Sequence, residues 1–314
     1  LLFQVPSLYR EGYLPKPSFD RSNPAVRKVF RLMLPAVFSV SVAQVNMFVN
    51  TVLASFLVTG SVSWLYYSDR LMEFPVGVFG IALASVVLPS LSKEHVSGSV
   101  DGFSELMDWA LRWVLLIAVP ATFALYLLAT PLLSTIFLRN AFSVHDVEMS
   151  ALALEAFSIG ICGFIFVKVL APGFFARQDT KTPMKIAVVS VLVNVLMSLI
   201  LVNYMQHAGL ALAISIAAWV NASLLLIVLM WRGIYRPQGG WLWFLFRVVV
   251  AVVAMSLVLV FLGDVPEVWY QWSLGQRVWR LSLLVVCGGL VYGLVLLLLG
   301  VRPHQLLLKP KLRS

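Results

Sequence analysis

The sequence is short of charge: only 12% of its 314 residues are Asp, Glu, Lys or Arg, about half the share usual in soluble domains. A water-soluble enzyme of one or two ordinary domains is thereby excluded. Cysteine is scarce as well. Cys162 and Cys287 each sit inside an apolar run, so neither a disulfide framework nor a zinc spacing is present. The four histidines (His95, His145, His207, His304) are scattered and show no metal-ligand pairing. There is no nucleophile elbow, no phosphate-cradling glycine loop and no triad spacing, so nothing argues for catalysis, a metal or a cofactor. Acidic residues number 14 against 23 basic ones, a formal charge of +9. Those cations lie between or beside apolar runs and form no basic face, which reads as membrane topology and not as nucleic-acid binding.

What the sequence has in abundance is apolar length: 61% of it is hydrophobic. A helix needs about 20 such residues to cross a hydrocarbon core, and eight stretches qualify, at 30–58, 62–91, 106–138, 149–176, 183–205, 209–230, 242–262 and 281–300. They are too long for barrel strands and lack alternation. Backbone amides in lipid must be satisfied within their own segment, so helices follow. The expected fold is therefore an all-α, polytopic membrane protein with eight transmembrane helices. The first four stretches exceed the minimum, which predicts tilts, kinks or interfacial turns there.

Basic residues set the orientation. Arg10, Lys16, Arg21, Arg27, Lys28, Arg31, Lys93, Arg112, Arg177, Lys181, Lys185, Arg232, Arg236, Arg247, Arg302, Lys309, Lys311 and Arg313 fall on one side, against Arg139, Arg277 and Arg280 on the other. By the positive-inside rule both ends are cytoplasmic. Trp109, Trp113, Trp231, Trp241 and Trp243 fall near cytoplasmic ends, and Trp64, Trp269, Trp272 and Trp279 near outer ends, as an anchoring belt would. Residues 1–6 read as the end of a preceding span, joined by a polar linker, so the chain is expected to be the C-terminal portion of a larger protein.

Charges inside spans are costly and usually face a cavity or a partner. The sharpest cluster is Ser68-Asp69-Arg70-Leu71-Met72-Glu73-Phe74-Pro75. Asp69, Arg70 and Glu73 share one broad helical face, and Pro75 favours a kink. Arg70 sits roughly 12 Å in from the outer end. Its guanidinium suits a phosphate, held ready by flanking carboxylates; a closed Arg–carboxylate network that fixes packing is the alternative. Lys168, roughly 13 Å from the cytoplasmic end, either faces the cavity or snorkels. Glu155 reads as interfacial. Ser39, Ala43, Asn46 and Asn50 form a small, partly polar stripe, best read as a helix contact, and Asn194 and Asn221 as packing groups. Between the fourth and fifth spans, Pro172 and Gly173 break the helix, and Thr182-Pro183 starts the next with a hydroxyl cap. Arg177 and Lys181 there are suited to an anionic headgroup at a cytoplasmic entrance, or to ordinary anchoring.

Residues 61–75, with Val87-Leu88-Pro89-Ser90-Leu91-Ser92, resemble a motif of the lipid II flippase family (MurJ/MviN). Residues 169–179 with Lys181-Thr182-Pro183 resemble that family's later motif. The resemblance covers essentially the whole chain. It implies a fourteen-helix transporter of the multidrug/oligosaccharidyl-lipid/polysaccharide superfamily, in the bacterial inner membrane. Residues 1–29 would be the end of a preceding helix and a linker, 30–230 the six-helix C-terminal lobe, and 231–314 two extra helices with a tail. The implied partners are lipid II, membrane lipids and an N-terminal lobe; the implied activity is flipping of undecaprenyl-diphosphate-linked precursor by alternating access. By resemblance Arg70 matches the lobe's cavity arginine, with Asp69, Glu73 and Lys168 beside the substrate. In some relatives a sodium site uses a carboxylate on the equivalents of the first or fifth span; here neither contains Asp or Glu. An exporter of another lipid-linked glycan or of a drug, and a membrane enzyme acting on lipid-linked sugars, are the rival readings.

Overall fold

The computed structural model describes Tyr9 and residues 24–301. The expected stub at 1–6, the cations Arg10, Lys16, Arg21, Arg302, Lys309, Lys311 and Arg313, and the side chains of Lys28, Arg31, Ser39 and Ala43 lie outside the described residues. Within them the elements are helical and no strand occurs: α1 (Pro24–Ser55), α2 (Ser61–Pro75), a π-helical turn (Val76–Gly80), α3 (Ile81–Ser97), α4 (Val100–Leu127), α5 (Ala129–Ile136), α6 (Val144–Ser158), α7 (Ile161–Phe175), α8 (Lys181–Trp231), α9 (Trp241–Leu262), α10 (Pro266–Gln271) and α11 (Leu274–Leu298). Five helical runs, or six if α6 and α7 count as one span bent by 42°, are long and apolar enough to cross a membrane. The chain is thus a multi-pass helical membrane protein.

The breaks have local causes. Pro75 brings no amide hydrogen, so the carbonyl four residues earlier loses its helical donor, and the ladder reopens as the wide turn Val76–Gly80. Ile81 N–H then bonds back to both Gly77 and Val78 carbonyls. The kink expected at Pro75 is therefore a widened turn inside a continuous helical run. The third stretch divides where Leu128 leaves helical geometry, and Ser143 with Asp146 forms a capping box that starts α6. The 51-residue α8 is interrupted at Gln206, whose φ of 50° and ψ of −128° are not helical. That break falls between the two stretches read at 183–205 and 209–230.

A continuous core joins α4, α6, α7 and α8 through Leu106, Met107, Leu154, Ile165, Phe174, Leu225 and Leu229. Gly163 permits the tight α7–α8 crossing: a Cβ there would lie 2.9 Å from the Trp219 backbone nitrogen. Two smaller clusters fasten α9 and α11 to α4, around Leu116, Val248 and Leu296 and around Leu128, Met255 and Leu284. Trp64 and Trp269 correct the belt reading: both are buried. Trp64 donates its indole N–H to Asp146 at 2.7 Å, and Trp269 packs against Met255 and Leu284.

Candidate functional site

The polar face of α2 is where charge meets an apolar helix without being sealed. Ser63, Tyr66, Arg70 and Glu73 recur at helical spacing and are exposed. Arg70 donates from Nη1 to Glu73 Oε2 at 2.7 Å, with side chains 50% and 57% exposed. The guanidinium also lies 4.9 Å from the centroid of the Tyr66 ring. Glu73 and Tyr66 together still leave several of its five donors available.

Asp69 does not flank the guanidinium as the spacing suggested. One residue along a helix turns about 100°, and Asp69 instead borders a cavity of about 290 Å³ with Asn46, Asn50, Thr51, Tyr66 and Leu210. Asp69 makes no ion pair among the described residues. The closed three-residue network is therefore not formed; the pair is Arg70 with Glu73.

Behind that cavity the asparagines of α1 meet α8. Asn194 Nδ2 donates to Asn46 Oδ1 at 2.7 Å and to Asn50 Oδ1 at 3.2 Å, and Ser198 donates to Asn50 Oδ1 at 3.3 Å. Uncharged amides thus close the α1–α8 contact, as the packing reading expected. Among the described residues no cluster of three or more His, Cys, Asp or Glu forms.

Lys168 stands on α7 against the π-helical turn. A Cβ on Gly80 would meet its Cδ at 2.6 Å, so the glycine makes room for the aliphatic stem. The ammonium forms no ion pair among the described residues, and no contact joins it to Arg70. Glu155 is half-buried on α6.

Between α7 and α8, Arg177 Nη1 lies 3.5 Å from His95 Nδ1, linking the ends of α7 and α3, while Lys181 opens α8. The cap of α8 differs from the expected Thr182 hydroxyl. Asp179 is the acceptor, taking Thr182 N–H at 3.0 Å and Thr182 Oγ–H at 2.6 Å. Arg232, at the far end of α8, donates to the same carboxylate at 2.8 Å. Partial burial pushes the Asp179 carboxyl up, but the bonds from Thr182 and Arg232 outweigh this and hold it below its ordinary 3.8. A lowered folded value stabilises the folded state above the unfolded value, and the benefit is lost as pH falls through the folded one. The junction of Asp179 with Thr182 and Arg232 is expected to weaken below about pH 4, and Asp179→Ala to remove that acid limb. Amide exchange of residues 179–184 against pH checks both.

Sequence reasoning missed the cluster where the 232–240 segment returns to α4. Asp108, 4% exposed, accepts from Tyr235 Oη at 2.8 Å, Trp241 Nε1 at 2.6 Å, Gln238 N at 3.2 Å and Arg112 Nε at 2.9 Å. Arg112 also donates to the Gly239 carbonyl. Burial and the Asp108 carboxylate push the Tyr235 phenol well up. Arg277 forms a second cluster. Buried, it donates only to main-chain carbonyls among the described residues: Trp269, Tyr270, Ser134 and Leu138. An i,i+4 Asp–Arg pair was the one visible hint of the first cluster; the second left none.

The profile of a family described as Lipid II flippase MurJ matches residues 1–283. A protein of Vibrio cholerae named as a probable lipid II flippase MurJ is 42% identical over 305 residues, 97% of this chain and 58% of its own length. One of Burkholderia cenocepacia, named lipid II flippase MurJ, is 42% identical over 292 residues, 91% of this chain and 56% of its own. The chain spans a little over half the length of these curated relatives. Among solved structures, a lipid II flippase MurJ in an inward closed conformation superposes with a TM-score of 0.71 at 22% identity, covering 94% of this chain and 58% of that one. An outward-facing multidrug resistance transporter of the MATE family and MOP superfamily gives 0.59 at 14% identity, covering 86% of this chain and 63% of that one. At these identities the superpositions establish the fold.

Proposed function

The chain belongs to the lipid II flippase MurJ family, and from that premise we propose that it is the C-terminal part of a protein that flips undecaprenyl-diphosphate-linked peptidoglycan precursor across the bacterial inner membrane. In this reading it crosses the membrane eight times with both ends cytoplasmic: α8 supplies two spans on either side of Gln206, α6 with α7 one, and α4 with α5 one. Residues 30–230 form one lobe of a fourteen-helix transporter and 231–314 the two extra helices. The protein is a transporter and not an enzyme.

The observation that carries the reading is the half-exposed Arg70–Glu73 pair, about 14 Å along α2 from its start. A guanidinium and a carboxylate facing acyl chains at that depth would cost several kcal/mol. Their exposure on an isolated lobe therefore argues that this face borders a hydrated cleft shared with the other lobe. A diphosphate entering that cleft exchanges its water for the free donors of Arg70. Glu73 keeps the guanidinium oriented and, by occupying one nitrogen, limits how tightly the anion is retained. Lys168, with no carboxylate partner, offers a second cation deeper toward the cytoplasmic side. Arg177 and Lys181 receive the headgroup at the entrance. Rocking of the lobes about this centre moves access from one side to the other, while the polyprenyl chain stays in lipid.

The reading is tested by reconstituting the full-length protein in vesicles loaded with fluorescent lipid II on the inner leaflet. Headgroups should become accessible to an outside reagent in proportion to folded protein. Unchanged accessibility with correctly inserted protein would refute flipping.

A further inference from the structure

We infer that Tyr292 is a positioning residue: its hydroxyl, bonded to the carbonyl that Pro120 leaves bare, ties α11 to the proline turn of α4 and makes the α9–α11 pair one body with the core of α4, α6, α7 and α8. The inference concerns how the lobe is built and does not depend on the transport reading.

Pro120 lies inside α4. Proline has no N–H, and in an α-helix the group it fails to satisfy is the carbonyl four residues earlier. Here that carbonyl belongs to Leu116, whose residue is buried. Tyr292 Oη donates to Leu116 O at 2.8 Å. A bare carbonyl in an apolar interior is costly, and a neighbouring helix that satisfies it is what makes an internal proline tolerable in a membrane. The bond therefore joins two features that are 176 residues apart in sequence.

Two residues beyond the proline, Thr122 Oγ1 meets Cys162 Sγ at 3.6 Å, so this stretch of α4 also faces α7, the helix that carries Lys168. The pair is held at two further depths. Asp108 clasps the segment leading into α9, and Arg277 at the start of α11 caps the last carbonyls around α5. Tyr292 is the tie between them, and it is the one whose acceptor exists only because of a proline.

That dependence makes the inference testable by a double-mutant cycle. Pro120→Ala restores an amide hydrogen and satisfies Leu116 O within α4, so the Tyr292 hydroxyl becomes dispensable. In the purified full-length protein, Tyr292→Phe is expected to lower the apparent melting temperature by several degrees. In the Pro120→Ala background the same change should shift it by less than half as much. Equal shifts in both backgrounds, or no shift in the native one, would overturn the inference. Should Pro120→Ala fail to fold, spin labels at the exposed Phe123 and Leu290, with Cys162 and Cys287 replaced, decide the matter. Their distance distribution should broaden in Tyr292→Phe, and an unchanged width would count against the tie.

Discussion

Replacing Arg70 by alanine is expected to stop transport by the protein that carries this chain while leaving its fold in place. The two effects separate because the side chain is half exposed and its pair with Glu73 spans a single helical turn. An ion pair of that kind contributes about 0–1 kcal/mol to stability, so melting temperature and yield should barely move. Hydrogen bonds to a charged phosphate are each worth about 1.5–3 kcal/mol, and every 1.4 kcal/mol is a factor of about ten. Losing a two-pronged contact should therefore cut flipping by about a hundredfold or more. Arg70→Lys should recover part of it, since an ammonium keeps the charge and loses the planar fork. Vesicle flipping rates and complementation of a depleted strain measure this directly. Near-normal precursor export by a folded Arg70→Ala protein would remove Arg70 from the mechanism.

The second large effect is expected at Asp108, and it concerns stability. Its buried carboxylate is the common acceptor for Tyr235, Trp241, Gln238 and Arg112. Asp108→Ala strands these donors and leaves the Arg112 guanidinium, already stacked on Trp241 and Phe244, without its counter-charge. Breaking one side of a buried pair typically costs about 3–5 kcal/mol. The predicted outcome is a marked drop in melting temperature and in recoverable monodisperse protein. Proteolysis should open first within 232–240, ahead of the lobe core. Asp108→Asn should be milder, because its carbonyl still accepts from Trp241 or Tyr235 while its amide meets a donor. Wild-type stability in the alanine variant would show that the cluster is ornamental.

These two sites differ in how far the sequence discloses them. Arg70 and Glu73 are three residues apart on one span, so hydropathy and helical period suffice to find the pair. The Asn194 contact was legible for a related reason: an amide in an apolar span needs a partner helix, whichever it is. Asp69 was misjudged because spacing on one helix cannot tell which flank a neighbouring helix covers, and α1 turns out to cover it. Apart from Arg112, Asp108 draws its partners from more than 125 residues away, and Arg277 from carbonyls, which carry no sequence signal at all. Trp64 looked like an anchor because an indole near a span end fits either water or a buried acceptor, here Asp146; Trp269 is enclosed by apolar packing instead. The all-helical, multi-pass character was legible from the apolar stretches, of which five helical runs, or six with α6 and α7 together, are long and apolar enough to cross a membrane; the turn at Leu128 left no mark in the hydropathy.

The widened turn at Val76–Gly80 has a geometrical corollary for the whole of this helical run. An additional residue in one turn advances the angular phase by about 100°, so the half bearing Arg70 and the half bearing Val87 and Leu91 keep separate bearings around a shared axis. Deleting one residue there would leave both halves helical and the hydropathy trace unchanged. The guanidinium would nevertheless swing by about 100° relative to the half bearing Val87 and Leu91.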